Sequence, residues 1–149
     1  MEKMKLILEG TVPSLKNSKQ ILRKASGRPF ISSSTKAKQW TKNAVEELKT
    51  QFNGYIIVDY PITVELVMYN KDNIRRDLDN QASTVLDALR HANVIEDDDF
   101  KHINHLIVRY GGTDKNNPRC EIILQDKAQK LDFYNIVRYN ESMVEIPER

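Results

Sequence analysis

The chain has little cysteine, glycine and proline, and it has no long run of apolar residues. One cysteine among 149 residues, Cys120, cannot form an internal disulfide, and its alternating apolar surroundings predict a small buried side chain in a reducing compartment. Five glycines form no Gly-rich phosphate loop. No segment approaches the length of a signal-peptide core or a transmembrane helix. We therefore expect a soluble, cytoplasmic protein.

Acidic residues are absent between positions 11 and 42. This segment holds eight lysines and arginines, so its net charge is +8, and the other 117 residues carry −6 of the overall +2. A basic segment beside an acidic remainder suits a polyanion that is bound at one place and attacked at another. A solvated basic loop that binds nothing is the alternative. The candidate DNA contacts in this segment are Lys16, Lys19, Arg23, Lys24, Arg28 and Lys36.

Carboxylates are instead crowded between positions 75 and 99. They occur in RRDLDN (75–80), LDAL (86–89) and EDDD (96–99), with a helical apolar pattern between the first and last runs. Crowded carboxylates repel one another, so such a cluster usually requires a compensating cation. Mg²⁺ suits an all-oxygen site that tolerates water, and Mn²⁺ is a possible substitute. The pattern predicts a metal-dependent enzyme that cleaves phosphodiesters.

Two carboxylate pairs are the candidate metal ligands. In extended backbone Asp77 and Asp79 would project to the same side, with Leu78 toward the core. A helix of about 12 residues followed by a reversal would return Asp97 and Asp98 to their side. Each pair also has a simpler interpretation. Asp-x-Asp before a helix is often helix-capping and turn chemistry, and the run at 96–99 could be a solvated acidic turn.

The apolar periodicity predicts one mixed α/β domain with a sheet of four or five strands and two main helices. We take residues 1–126 as this domain and 127–149, where the pattern weakens, as a C-terminal extension of unknown role. Asp79 or Asn80 is the expected cap of the second helix. The predicted elements are a strand at 3–10, a loop at 11–34 with a short hairpin around Gly27, a helix at 35–52, one bent strand or a strand pair at 55–69, a helix from 79 or 80 to 91, and antiparallel strands at 102–110 and 119–125.

The motifs together resemble those of the RusA family of Holliday-junction resolvases, which are small endonucleases encoded by bacteria and phages. The resemblance runs from about residue 4 to residue 125. It is carried by RRDLDN, LDAL and VIEDD, and in the N-terminal part by Pro13-Ser14, Asn17, Gly27-Arg28 and the Ser-rich start of the first helix with Ala37 and Trp40.

The resemblance implies a Mg²⁺-dependent homodimer of mixed α/β fold that nicks four-way DNA junctions symmetrically during recombination and repair. The family's catalytic aspartates fall on Asp77, Asp79 and Asp98, with Asp97 adjacent as a further metal ligand. Asp87 matches the aspartate of the LDAL motif, which the resemblance assigns to supporting structure.

One position departs from the family pattern. Many members have a lysine four residues after the second aspartate, where this chain has Ser83. Such a lysine would stabilise phosphate charge in the transition state. Lys101, Arg76 or Lys71 could take its place, and the first two are also candidate DNA contacts. Two alternatives therefore stay open: a module that binds branched DNA without efficient cleavage, and a structure-specific nuclease that acts on forks or flaps.

Overall fold

A computed structural model describes residues 3–15, 19–23, 27–33 and 35–126, with the backbone alone described for 19–23, 29–33 and 126. The mixed α/β fold class is confirmed, because two helices pack with a four-stranded sheet. The predicted extension at 127–149 lies outside the described residues. The elements are β1 (Met4–Glu9), β2 (Lys19–Arg23), β3 (Pro29–Ser33), α1 (Thr35–Gln51), β4 (Ile62–Asn70), α2 (Leu78–His91), β5 (Ile103–Thr113) and β6 (Arg119–Asp126).

The main sheet has the strand order β1-β6-β4-β5. Strand β6 pairs antiparallel with both β1 and β4, while β4 and β5 run parallel. Strands β5 and β6 run antiparallel as predicted, but they do not pair with each other, because β4 lies between them. Helix α2 connects β4 to β5 and returns the chain to the same end of the sheet, which makes the two strands parallel.

Two element boundaries also differ from the prediction. Residues 55–60 form no strand, and β4 begins only after Pro61, which lacks the N–H that a strand interior needs. Helix α2 begins at Leu78 with Asp77 as its N-cap, so neither Asp79 nor Asn80 caps it. Its end agrees better with the prediction, since Asn93 takes a left-handed φ of 58° just beyond the last turn.

The hydrophobic core lies between one face of the sheet and the two helices. Strand β4 contributes apolar side chains to this core, together with Leu48 of α1 and Leu89 of α2. Cys120 is buried on β6, and burial raises the pKa of its thiol to about 12, so the thiol stays protonated. Neither of the described helices is long and apolar enough to cross a bilayer. The core side chains of β4 are Ile62, Val64, Leu66 and Met68.

Strands β2 and β3 form a separate two-stranded sheet, which confirms the predicted hairpin around Gly27. Gly27 has a φ of +85°, a conformation that L side chains rarely adopt. This hairpin forms the middle of the basic segment. The first and last residue pairs between its strands are Lys19 with Ser33 and Arg23 with Pro29.

Candidate metal centre

The loop from Lys71 to Arg76 leads from β4 to α2 and is folded by its own side chains. Asp72 Oδ1 accepts hydrogen bonds from Arg76 Nη1 at 2.7 Å and from the Ile74 backbone N–H at 3.1 Å. The bond from Arg76 is the main reason that the pKa of Asp72 is lowered. Arg76, predicted as a DNA contact, has a side chain only 16% exposed and also donates to the Ile74 carbonyl. Its position indicates that it helps to fold the loop.

The first aspartate pair straddles the start of α2. Asp77 has extended backbone (φ −80°, ψ 124°), whereas Asp79 is already in the first helical turn, so the predicted extended arrangement holds for Asp77 alone. Leu78 packs against the core as expected. Although Asp77 is the N-cap, its side chain makes no capping hydrogen bond, and the cation nearest to it among the described residues is Arg75 Nε at 4.0 Å. Both carboxylates are exposed beside a helix N-terminus, where the dipole favours negative charge.

A buried glutamine holds this end of α2 in place. Gln81 is fully buried, and its Nε2 donates to the Val12 carbonyl and to Asn70 Oδ1, both at 2.9 Å. One turn further on, Thr84 Oγ1 accepts a hydrogen bond from the Leu15 N–H at 3.2 Å. The start of the basic segment therefore lies along the first two turns of α2. The sequence analysis missed Gln81, whose signal is a polar residue next to the apolar stripe.

The second aspartate pair lies in the turn after α2. Asp97 Oδ1 accepts a hydrogen bond from the Asp98 N–H at 2.8 Å, so Asp97 shapes the turn. Asp98 Oδ2 is 3.8 Å from Arg90 Nε in the last turn of α2. Arg90 also contacts Asp87 at 2.5 Å, and this hydrogen bond is the main cause of its raised pKa. Asp87 thus has the structural role expected for it, with Arg90 as an unforeseen partner.

Asp99 closes the same turn. It accepts hydrogen bonds from the backbone N–H groups of Lys101 and His102 and from His102 Nδ1, the last at 2.6 Å. This side-chain bond is the main cause of a lowered pKa for Asp99 and a raised pKa for His102. The His102 ring packs edge-on against Tyr60 at 4.8 Å, and the Tyr60 hydroxyl accepts the Glu96 N–H. His102 therefore links the turn to Tyr60 and Asp99.

The aspartates from 72 to 99 divide into two groups. Four of them accept hydrogen bonds that fold a loop, a helix end or a turn. The other three accept none from the part of the chain that the structure describes, so their oxygens are available for an external ligand. The first group is Asp72, Asp87, Asp97 and Asp99. The second is Asp77, Asp79 and Asp98.

The predicted ligands fit a hard divalent cation by their chemistry, since all of them are carboxylates at or near the surface. One chain does not bring the four together. Asp77 and Asp79 are at the start of α2, whereas Asp97 and Asp98 follow its end beside Arg90. Within residues 3–15, 19–23, 27–33 and 35–126, no three His, Cys, Asp or Glu side chains are grouped to hold an ion.

The structure describes only some of the candidate DNA contacts. Lys16 and Lys24 lie outside the described residues, and only the backbone of Lys19 and Arg23 is described. Three of the others are exposed: Arg28 in the hairpin turn, Lys36 in the first turn of α1, and Lys101 after the acidic turn. Ser83 is exposed on α2, four residues after Asp79 and hence on the same helix face.

Comparison with known proteins identifies the family. The family model of endodeoxyribonuclease RusA matches residues 12–125, which include the hairpin, both helices and both aspartate pairs. The crossover junction endodeoxyribonuclease RusA of Aquifex aeolicus is 31% identical over 100 residues, which are 67% of this chain and 75% of that protein. The chain belongs to the endodeoxyribonuclease RusA family.

Proposed function

We propose that this protein is a metal-dependent endonuclease that resolves four-way DNA junctions by paired nicks during recombination and repair. One observation carries the proposal. The aspartates that accept no hydrogen bond from the described residues, Asp77, Asp79 and Asp98, are the three that the resemblance to the family assigns as catalytic. If the carboxylates served only to cap the helix or to fold the turn, they would be engaged like those of Asp97 and Asp99.

These three residues, with Asp97, are the proposed ligands of Mg²⁺, for which Mn²⁺ could substitute. The ion would supply Lewis-acid polarisation of the scissile phosphate and would activate water as the nucleophile. The protein's own part is to hold the carboxylates in place and to balance their charge. The start of α2 favours the charge of Asp77 and Asp79 through the helix dipole, and Arg90 compensates the charge of Asp98.

The substrate would be held by the basic segment. Its hairpin and the start of α1 present Arg28 and Lys36 to solvent, and the chain at Leu15 is bonded to Thr84 on α2. DNA bound to the basic side chains would therefore pass close to α2. Because phosphate contacts release counterions, junction affinity should fall steeply as salt rises.

We further propose a homodimer that acts in the cytoplasm of a bacterium or of a phage-infected cell. A four-way junction has approximate two-fold symmetry, and a two-fold dimer would present two equal sites to opposing strands. A reducing compartment suits the single buried thiol of Cys120.

The test is a cleavage assay with a labelled four-way junction and a matched linear duplex, each with and without Mg²⁺. Wild type should give paired nicks on the junction only, and only with metal. Asp79→Asn should lower nicking by at least about 10²-fold, because a charged ligand is lost. Its junction binding should be equal or tighter, because a carboxylate that repels phosphate is neutralised. The control is Asp87→Asn on the same helix, which should retain nicking. Normal cutting by Asp79→Asn would refute the site.

Ser83 favours one alternative, a module that binds branched DNA without efficient cleavage. The exposed serine stands where many family members have a lysine, so one transition-state charge is absent there. Tight junction binding without metal-dependent nicks would support the module. In that case Ser83→Lys should raise nicking, whereas an exchange at an exposed site away from α2, Thr50→Lys, should not.

A further inference from the structure

The guanidinium of Arg90 is fixed at one nitrogen and has an unused donor at another. Its Nη2 donates to Asp87 Oδ1 at 2.5 Å, which ties it to the last turns of α2. Its Nε is buried, yet it has no hydrogen-bond acceptor among the described residues. Buried donors in folded proteins nearly always have an acceptor, and the exceptions are often explained by a bound ligand or a catalytic role. The Nε–H of Arg90 is therefore a donor that suits an external acceptor.

This donor lies beside the acidic turn. Arg90 Nε is 3.8 Å from Asp98 Oδ2, too far for a hydrogen bond, so the contact leaves the oxygens of Asp98 available to an external ligand. The two side chains are only 37% and 36% exposed, so water and salt screen the space between them less than they screen a surface pair. Arg75 near Asp77 is 94% exposed by contrast. Of these two arginines, Arg90 has the charge that is both fixed and partly shielded from solvent.

Arg90 is also the only lysine or arginine of α2, a helix that the structure describes throughout. Asp79 in the first turn and Asp98 after the last turn place proposed metal ligands at both ends of this helix. A DNA phosphate that reaches the last turn of α2 would find no other permanent cation on the helix. Arginine suits such a contact, because its planar guanidinium can donate two hydrogen bonds to one phosphate.

We propose that Arg90 contacts the scissile phosphate and stabilises the negative charge that develops there during cleavage. Arg90 Nε lies within 4 Å of a proposed metal ligand, so a phosphate held at Asp98 comes within reach of its N–H. The bond to Asp87 sets the direction of the guanidinium before substrate arrives. The inference rests on the proposed function, and it adds a catalytic residue to that site.

The reaction explains why a fixed cation matters here. A water oxygen bonds to phosphorus, and the bond from phosphorus to one sugar oxygen breaks with its electron pair left on that oxygen. One water proton ends on the sugar oxygen and the other is released to solvent. Negative charge is redistributed over the oxygens around phosphorus on the way. A guanidinium already in place meets this charge without reorganisation, so its contact is stronger in the transition state than in the bound substrate.

Arg90→Gln tests the contact by cleavage. We expect single-turnover nicking of the four-way junction to fall by at least about 10²-fold. Junction binding without Mg²⁺ should change by less than about 3-fold, because an interaction made mainly in the transition state affects rate more than affinity. The control is Arg109→Gln on β5, which removes the same charge from a pair with Glu65 away from the acidic turn. It should nick at the wild-type rate.

Metal affinity distinguishes this role from a purely structural one, without DNA or cleavage. Loss of a cation beside Asp98 should leave Mn²⁺ binding unchanged or strengthen it by up to about 10-fold, because like charges repel. If Arg90 served only to hold Asp98 in place, Arg90→Gln would bind Mn²⁺ more weakly. Calorimetry measures the difference from wild type, and weaker binding would overturn the inference.

A conservative exchange completes the series. Arg90→Lys keeps the charge and loses the planar pair of donors, so we expect it to nick at least about 10-fold faster than Arg90→Gln and more slowly than wild type. Thermal unfolding checks that all variants fold. Wild-type nicking by Arg90→Gln, or equal rates for the two Arg90 variants, would contradict the assignment. A wild-type protein that never nicks would instead refute the proposed function, which separates the two failures.

Discussion

The segments before and after α2 both contain aspartates that fold the backbone and aspartates that are left free, but they balance charge differently. Before the helix, Asp72 is paired with the largely buried guanidinium of Arg76, and among the described residues the free pair has an exposed arginine, Arg75, at 4.0 Å from Asp77. After the helix, Arg90 lies beside Asp98 and His102 is bonded to Asp99. Among the described residues, the free aspartate after the helix therefore lies beside a half-buried arginine, whereas the free pair before the helix lies near an almost fully exposed one.

This difference separates two roles that look alike in sequence. An aspartate that accepts backbone N–H groups maintains the shape of its turn, so its loss should act on stability. An aspartate without such a bond contributes little to the fold, so its loss should act on ligand binding and cleavage. Substitutions in the two groups should therefore differ in what they change, and the largest difference is expected in the acidic turn.

Substitutions of two neighbouring aspartates in the acidic turn should lower junction nicking by unequal factors. Asp98→Asn removes a free carboxylate and should lower junction nicking by at least about 10²-fold. Asp97→Asn keeps an oxygen that can accept the Asp98 N–H, so the turn is preserved, and we expect a loss of about 10-fold. Cleavage rates at saturating Mg²⁺ measure both effects, and thermal unfolding should show little change in either variant. Equal losses would remove the distinction between free and turn-forming aspartates.

Replacing Gln81, which holds the start of α2 in place, should lower the stability of the fold. Gln81→Met keeps the volume but leaves the buried Val12 carbonyl and Asn70 Oδ1 without their donor, at a cost of about 1–3 kcal/mol in unfolding free energy. The loss is partly offset because Gln81 Oε1 has no partner among the described residues. The control Gln39→Met, at an exposed helix position, should stay within about 0.5 kcal/mol. Denaturant unfolding measures both, and equal costs would argue against Gln81 as an anchor.

The sequence predicted where helices and strands lie better than it predicted which strands pair. The stripe containing Leu48 located α1, and the alternation from Ile62 to Met68 located β4, because burial on one face leaves a period that can be read locally. The pairing of β4 with β5 could not be read this way, since it depends on where α2 crosses the sheet. The segment from Tyr55 to Val58 was mistaken for a strand for a related reason: Tyr55, Ile56 and Val58 are apolar but exposed, and Ile57 alone of the four is buried.

For the site, sequence motifs identified the aspartates but not their separation. RRDLDN and EDDD located both pairs, because crowded carboxylates are conspicuous in any chain. Which of them accept hydrogen bonds depends on how the turn folds: His102 is bonded to Asp99, whereas Asp98 lies 3.8 Å from Arg90 and accepts no hydrogen bond from the described residues. The length of α2 was predicted well. The separation of the two aspartate pairs, however, follows only once Asp98 is known to lie beside Arg90 in the last turn of α2.

The smallest effect, a pH-dependent change in stability, is expected from the bond between His102 and Asp99. The hydrogen bond to Asp99 raises the pKa of His102, so the folded chain holds this proton more tightly than the unfolded chain. Its stabilising contribution is complete below the ordinary histidine pKa of about 6.5 and disappears as pH rises through the raised value. The same bond lowers the pKa of Asp99, whose contribution disappears only as pH falls below about 3.9, through the lowered value.

The turn should therefore be most stable between about pH 4 and 6.5. We expect His102→Gln to lower the melting temperature more at about pH 5.5 than at about pH 8, because only the charged ring makes the full bond. In an Asp99→Asn background the difference between the two pH values should shrink, which isolates this bond from other histidines. A pH-independent effect would mean that packing against Tyr60 is what His102 contributes, and the second segment would then lack one of the two cations that distinguish it from the first.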